Sequence, residues 1–543
     1  MNYIPLKHIT NLFLLFFATT AIAQNTATDS TLADVTVNTK YKPNVAESVK
    51  IDIQPTLEEP KVKSPTYSFV FPNAAYKPKS VYTPIDPVFI KLEKPEDIFD
   101  NYIEIGGGNY LTSYVDARIN NIQDKYYTYG LHFKHHAANA SNNPEQGLFS
   151  QNHIKAYGLS EKGNDLYAEI DYNRNVVHYY GYLADTANPP LELGDINQIY
   201  NDISAKTTWS VNKSRMSNTF DIGFNLFDKL GENENTFKVL NFSKFKVGKN
   251  RVLLDVGAMY TQLTETAKYK RLFIDIKPHY QFNFKKYTFD IGLNANYIGE
   301  LDSSRNEIKL APHLKAETYL VPKKLRVYIG ITGDLQKNIL QSISYENLFL
   351  GNNLNLSNPY TFKYFAGMNG SFKRFVEFGI KIQQETIADQ YLFINDTNNL
   401  LNFTTVEDNM NKFTFSGELK FNVNQNIDLG FRGNIYSYST DTVKEVWHLP
   451  TYDAALFATV RLADKIYING GYFATSSRQA RDIAGKRSTL AAINDINVGA
   501  EYRYKKNISG FIHVNNILNK QYEIWNNYRA QGLNILAGVT FSL

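Results

Sequence analysis

From Ile535 onward the odd positions Ile535, Ala537, Val539, Phe541 and Leu543 are apolar, while Asn534, Gly538, Thr540 and Ser542 between them are small or polar, with Leu536 the exception. That two-residue period belongs to a β-strand with one apolar and one polar face. A strand at this position presents a row of unpaired backbone groups unless its edge is covered, and pairing with the first strand of a barrel covers it. If the apolar face meets lipid, the closed barrel is transmembrane. The same alternation runs through the interior of the chain. Tyr287, Phe289, Ile291, Leu293, Ala295 and Tyr297 interleave with Thr288, Asp290, Gly292, Asn294 and Asn296. Phe413, Phe415, Leu419, Phe421 and Val423 interleave with Ser416, Glu418, Lys420 and Asn422.

Composition agrees with strands. Among 543 residues there are 38 Tyr and 35 Phe but 3 Trp and no Cys. Aromatics in that number suit strands and interfacial girdles. Without Cys there are neither disulfides nor thiolate metal sites. A formal charge of +4 with no basic block gives no footprint for nucleic acid, which is not an expected partner.

Residues 1–23 read as a secretory signal peptide: Lys7 in the polar start, an apolar run from Leu12 to Ala18, and Ala21-Ile22-Ala23 before Gln24. Beyond it no apolar run reaches the ~18 residues of a membrane helix, so any spanning is done by strands. Residues 24–100 are of another kind. Nine of the 18 prolines fall between Pro43 and Pro95, and proline removes a ladder donor. The segment reads as an extended periplasmic arm, or a reduced plug, with a disordered tether as the competing reading.

From residue 101 to 543 short turns alternate with longer connections. The short ones include Phe284 to Tyr287, Val321 to Leu325 and Tyr504 to Asn507; the longer ones include 139–150, 182–197, 339–358, 388–410, 439–450, 476–489 and 518–530. In outer-membrane barrels the short turns face the periplasm. Counting back from the last strand predicts an all-β, transmembrane antiparallel barrel of about 22 strands with both ends periplasmic. A soluble propeller and a porin of fewer strands are the rival folds.

Three stretches resemble one family. The sequence VNNILN, the connection KQYEIWNNYRAQG and the final LNILAGVTFSL resemble the closing hairpin of TonB-dependent outer-membrane receptors, particularly those of Bacteroidetes. Leu543 stands where the family usually ends in Phe. IEIGGGNYLTSYVDARIN resembles the family's first barrel hairpin, with Gly106, Gly107, Gly108, Asn109 and Tyr110 expected at the reversal. Asp34-Val35-Thr36-Val37 resembles the TonB box that opens the plug region. The departure is the plug, since residues 24–100 are too few for a full plug domain. The resemblance implies location in the outer membrane, contact with its lipids, and assembly by outer-membrane machinery acting on the strand Ile535, Ala537, Val539, Phe541, Leu543. It also implies TonB, a separate plug or another periplasmic partner.

Chemistry is sparse along the sequence. His132 and His136 share a strand face without a local Asp or Glu, so no metal site is assigned to them and no cofactor is expected; His135 is expected to face outward. No local pattern marks a nucleophile with its base, and an enzyme is not expected. Three functions stay open: a plugless passive channel, a TonB-coupled receptor with a reduced or external plug, and a structural subunit of an outer-membrane complex. Solute transport is the favoured one.

Overall fold

The computed structural model describes Phe99–Leu543 apart from 122–123, 125, 140–147, 180–195, 266–267, 304, 353, 355, 374, 397–401, 464 and 482–485. The expected leader 1–23, the arm up to residue 98, and with it Asp34, Val35, Thr36 and Val37, lie outside the described residues.

Twenty-two strands make one antiparallel sheet that closes on itself. The closing seam joins the first strand, Tyr102–Gly108, to the last, Asn534–Ser542, in register from Tyr102↔Ser542 to Gly108↔Leu536. Asn101 and Leu543 exchange backbone hydrogen bonds of 3.1 and 2.8 Å, which brings the two ends of the barrel together. A single closed sheet replaces the propeller reading, which needs separate blades.

The faces are inverted relative to a soluble sheet. In the strand Tyr287–Glu300, Ile291 and Leu293 are 45% and 43% exposed, whereas Asn294 and Asn296 are 4% and 1% exposed. Apolar side chains outside and amides inside describe a lipid-facing wall around a polar lumen. The last strand obeys the same rule: Ile535, Val539 and Phe541 point outward and Leu536 is buried inside. In the strand Tyr127–Ala138, His135 continues the outward row of Leu131 and Phe133, its ring bonded to Ser113 Oγ at 2.9 Å and Asn152 Oδ1 at 2.8 Å.

Two sequence expectations need correction. Gly106, Gly107 and Gly108 do not make the first reversal; they are the last residues of the first strand, and the chain turns at Asn109, Tyr110 and Leu111. Tyr110 and Leu111 take left-handed φ values of 57° and 50°. Asn109 fixes the turn to the last strand, donating from Nδ2 to the Leu533 carbonyl at 2.6 Å and accepting from the Ile535 amide at 2.8 Å. The glycines are needed for the seam instead. A Cβ on Gly108 would stand 2.1 Å from the Ile535 carbonyl oxygen, and one on Gly538 2.1 Å from that of Ile105. The second correction concerns 388–410, which is mostly strand: Val376–Asn395 and Phe403–Asn424 stay paired up to Asn395↔Phe403, with a register shift between Ile387 and Gln390. Polar Asp389, Gln390 and Asp408 read as loop, yet a bulge keeps the ladder running past them.

Candidate functional site

The longest described connection, 336–359, does not stand out in water. Its helix Leu340–Glu346 and the segment after it place Leu340, Ile343, Leu350, Leu354 and Leu356 in one apolar cluster. The other members come from around the ring: Tyr200, Phe227, Leu263, Tyr391, Phe393, Phe403, Trp525 and Tyr528. Those residues belong to strands on both sides of the loop's own pair and to the connection before the last strand. The loop therefore crosses the mouth of the barrel at the end where the long connections lie.

Polar side chains on the wall hold this loop by its backbone. Glu234 accepts from the Leu340 and Gln341 amides at 2.7 and 3.1 Å, the free N–H groups of the helix start, while the Tyr269 hydroxyl donates to Glu234 at 2.5 Å. Asp202 accepts from Gln341 Nε2 and the Tyr345 hydroxyl at 2.8 and 2.9 Å. The fully buried Lys229 donates from Nζ to the carbonyls of Leu350 and Gly351, both at 2.7 Å. Arg271 donates to the Leu356 carbonyl at 2.9 Å, and the Tyr200 hydroxyl to that of Leu348 at 2.6 Å. From the opposite side the chain pairs with Phe403, through Gly351 N to Phe403 O at 2.8 Å and Phe403 N to Phe349 O at 2.9 Å. The rings of Phe349 and Tyr528 stack at 3.6 Å, and buried Arg478 donates to the carbonyls of Glu523 and Ile524.

Such bonds give the loop one position. The carbonyls of Leu348, Leu350, Gly351 and Leu356 and the amides of Leu340 and Gln341 each meet a wall side chain, and a buried Lys or Glu that lost its partner would carry the cost of an unpaired charge. The arrangement is a lid, closed in this structure and anchored at points spread round the rim.

One contact beside the lid is sensitive to acid. His448, in the connection 441–451, is buried among Phe403 and Trp525, with ring centroids at 5.5 and 5.2 Å, and its Nδ1 bonds the Phe393 carbonyl at 3.0 Å. Burial pulls its pKa down to about 3, so the ring is neutral when packed. In the unfolded segment it protonates near the ordinary value of ~6.5. The unfolded form thus binds more protons below that pH, and stability present at neutral pH is lost as pH falls. Between pH 7 and 5 the loss should be about 2 kcal/mol. Limited proteolysis of the 441–451 connection should accelerate at pH 5 in the wild type, and much less so in His448→Phe. Equal pH dependence in both would remove His448 as the cause.

The histidines singled out along the sequence lie apart from the lid. His132 Nε2 meets Asp116 Oδ1 at 2.9 Å, so a carboxylate does accompany it, delivered by the register of the neighbouring strand. His136 packs instead on Tyr114 and Phe149, with centroids at 5.8 and 5.0 Å.

No protein-family model and no curated protein matches the sequence. Solved structures do match the fold. The FrpB iron transporter from Neisseria meningitidis superposes with a TM-score of 0.65 at 7% identity, covering 82% of each chain. The siderophore receptor PirA from Acinetobacter baumannii gives 0.64 at 11% identity, covering 83% of this chain and 81% of its own. The ferric-catecholate import receptor Fiu from E. coli gives 0.62 at 9% identity, over 83% and 82%. The fold is that of the TonB-dependent outer-membrane receptors. Within this barrel, sequence reading missed the lid anchors: Tyr200, Asp202, Lys229, Glu234 and Arg271 sit near strand ends among many similar residues. A signal was nevertheless present. Leu348, Phe349, Leu350, Leu354 and Leu356 make a connection too apolar to lie free in water.

Proposed function

We propose that this chain carries solutes across the outer membrane, as a receptor-type barrel whose outer mouth is held shut by loop 336–359. The observation that carries the reading is the lid itself, a loop bonded to opposite sectors of the rim over a polar lumen. A barrel that served only as a scaffold would gain nothing from a single closed position of this kind. The similar structures are named for ferric catecholates, siderophores and iron, and metal chelates are the substrate class we assign. Transport, rather than catalysis, is the role.

In this reading residues 1–23 direct export and are removed, and residues 24–100 act on the periplasmic side. Asp34-Val35-Thr36-Val37 adds as a strand to a TonB-type partner, a mode that depends on backbone donors. The terminal strand Ile535, Ala537, Val539, Phe541, Leu543 engages the assembly machinery, and the outward apolar band meets the lipids.

Uptake of a ferric chelate by cells carrying Val35→Pro/Val37→Pro is the test. Proline removes the donors, so uptake should fall to background while the amount of heat-modifiable barrel is unchanged. Unaltered uptake would replace energised import with a passive channel, and no uptake by the wild type of any chelate tried would leave the structural subunit.

A further inference from the structure

Three adjacent strands, Tyr269–Phe284, Tyr287–Glu300 and Asn306–Val321, bring His279, Asp290 and His313 together on the lumenal face, well below the lid. Gly292 pairs with His279 on one side and His313 on the other. Because it has no side chain, the two imidazoles stack across it with centroids 4.1 Å apart; a Cβ there would stand 2.2 Å from His279 Cδ2.

Both rings aim a nitrogen at the same carboxylate. His279 Nδ1 lies 3.9 Å from Asp290 Oδ1, and His313 Nε2 lies 3.9 Å from Asp290 Oδ2. These separations are too long for hydrogen bonds, and Asp290 Oδ1 is buried with no hydrogen-bond partner. One ligand atom from each residue falls within 4.8 Å of the others. An ion with bonds of about 2.0 to 2.2 Å wants its ligands roughly 3.3 Å apart, so the two 3.9 Å gaps need to close by about 0.6 Å and the widest separation, within 4.8 Å, by up to about 1.5 Å.

Each ring is held at its other nitrogen, and for His279 the partner fixes the tautomer a metal site requires. His279 Nε2 is held by Asn294 Oδ1 at 3.1 Å, an acceptor, which puts the proton on Nε2 and leaves the Nδ1 lone pair facing Asp290. His313 Nδ1 is held by Thr332 Oγ1 at 3.1 Å. Asn294, 4% exposed, is itself anchored by donating to the Gly333 carbonyl at 2.7 Å and Thr332 Oγ1 at 3.2 Å. Partners of this kind orient the rings of ligating histidines. The other lumenal histidine group differs in this respect. There His132 and His153 are already bonded to Asp116 and Asp171 at 2.9 and 2.6 Å, leaving no open position between base and acid.

We propose that His279, Asp290 and His313 form a binding site for a bare divalent transition ion on the lumen wall, with water completing the coordination. Two imidazoles and one carboxylate suit borderline ions of the zinc, cobalt and copper kind rather than magnesium or calcium. The site does not depend on the transport reading, because it is tested by binding to the purified full-length protein.

Cobalt(II) titration of the detergent-solubilised protein, carrying no polyhistidine tag, reads the site by its visible absorption, with zinc as competitor. The wild type should show one site that zinc displaces. His279→Gln/His313→Gln should abolish it, and His132→Gln/His153→Gln should leave it unchanged. Asn294→Leu, which removes only the ring anchor, should weaken it roughly 10- to 100-fold. Gly292→Ala should also remove it while the barrel keeps its heat-modifiable migration, which separates loss of the site from loss of the fold. No cobalt binding by the wild type, or binding retained in His279→Gln/His313→Gln, overturns the proposal.

Discussion

Replacing residues 337–357 by a short glycine-serine link should raise the single-channel conductance of the purified barrel roughly tenfold or more in a planar bilayer, since a ring of 22 strands is wide enough to conduct once its lumen is unobstructed. The loop occupies the mouth by virtue of Leu340, Ile343, Leu350, Leu354 and Leu356, and none of these has another apolar surface to bury against if the loop swings away. Lys229→Met should act in the same direction but less strongly, because it removes two of the backbone bonds and leaves the Glu234 and Asp202 anchors in place. A lid-deleted barrel that stays silent, but conducts once residues 30–98 are also removed, would transfer the obstruction to the N-terminal segment. Silence in both would withdraw the lid as a gate.

Gly538→Val should abolish assembly. The substitution forces Cβ toward the Ile105 carbonyl oxygen 2.1 Å away and the Gly106 Cα 2.7 Å away, both backbone atoms that have no rotamer to yield. The cost exceeds the ~1–3 kcal/mol of ordinary overpacking, because relief requires the first and last strands to separate. Loss of the seam exposes two strand edges at once. The expected readout is disappearance of the heat-modifiable band and degradation of the protein during export. Gly470→Val is the control, since nothing lies within 4 Å of a Cβ at that position, and it should assemble normally. Normal assembly of both variants would show that the seam is looser than its register indicates.

The architecture was legible because a membrane barrel repeats one local rule many times. The alternation of Tyr287–Tyr297 and of Ile535–Leu543 fixes faces, and the alternation of connection lengths fixes the count, so errors at single boundaries cancel. Features that depend on one register are different. Asp116 reaches His132, and Asp290 reaches both His279 and His313, only through the pairing of neighbouring strands, which no local pattern encodes. The glycines at 106–108 were visible but misassigned. Three consecutive glycines suggest a reversal, yet their chemistry equally permits close approach of another backbone, and the competing partner lies more than 400 residues away. The lid failed for a third reason: except for Asp202, its anchors bond to main-chain groups, whose positions carry no side-chain signature.

The seam is also among the shortest joins in the wall, with seven paired positions. The first strand has only the seven residues Tyr102–Gly108, while Val376–Asn395 and Phe403–Asn424 elsewhere in the ring run to 20 and 22. Under mechanical load a chain fails where the fewest bonds share the force. Tension applied to the two ends, which meet at Asn101 and Leu543, falls on those few rungs first. The barrel would unzip from there, giving up one hairpin after another from either side, and the strands half-way round, about Asn306–Val321, would be the last to part.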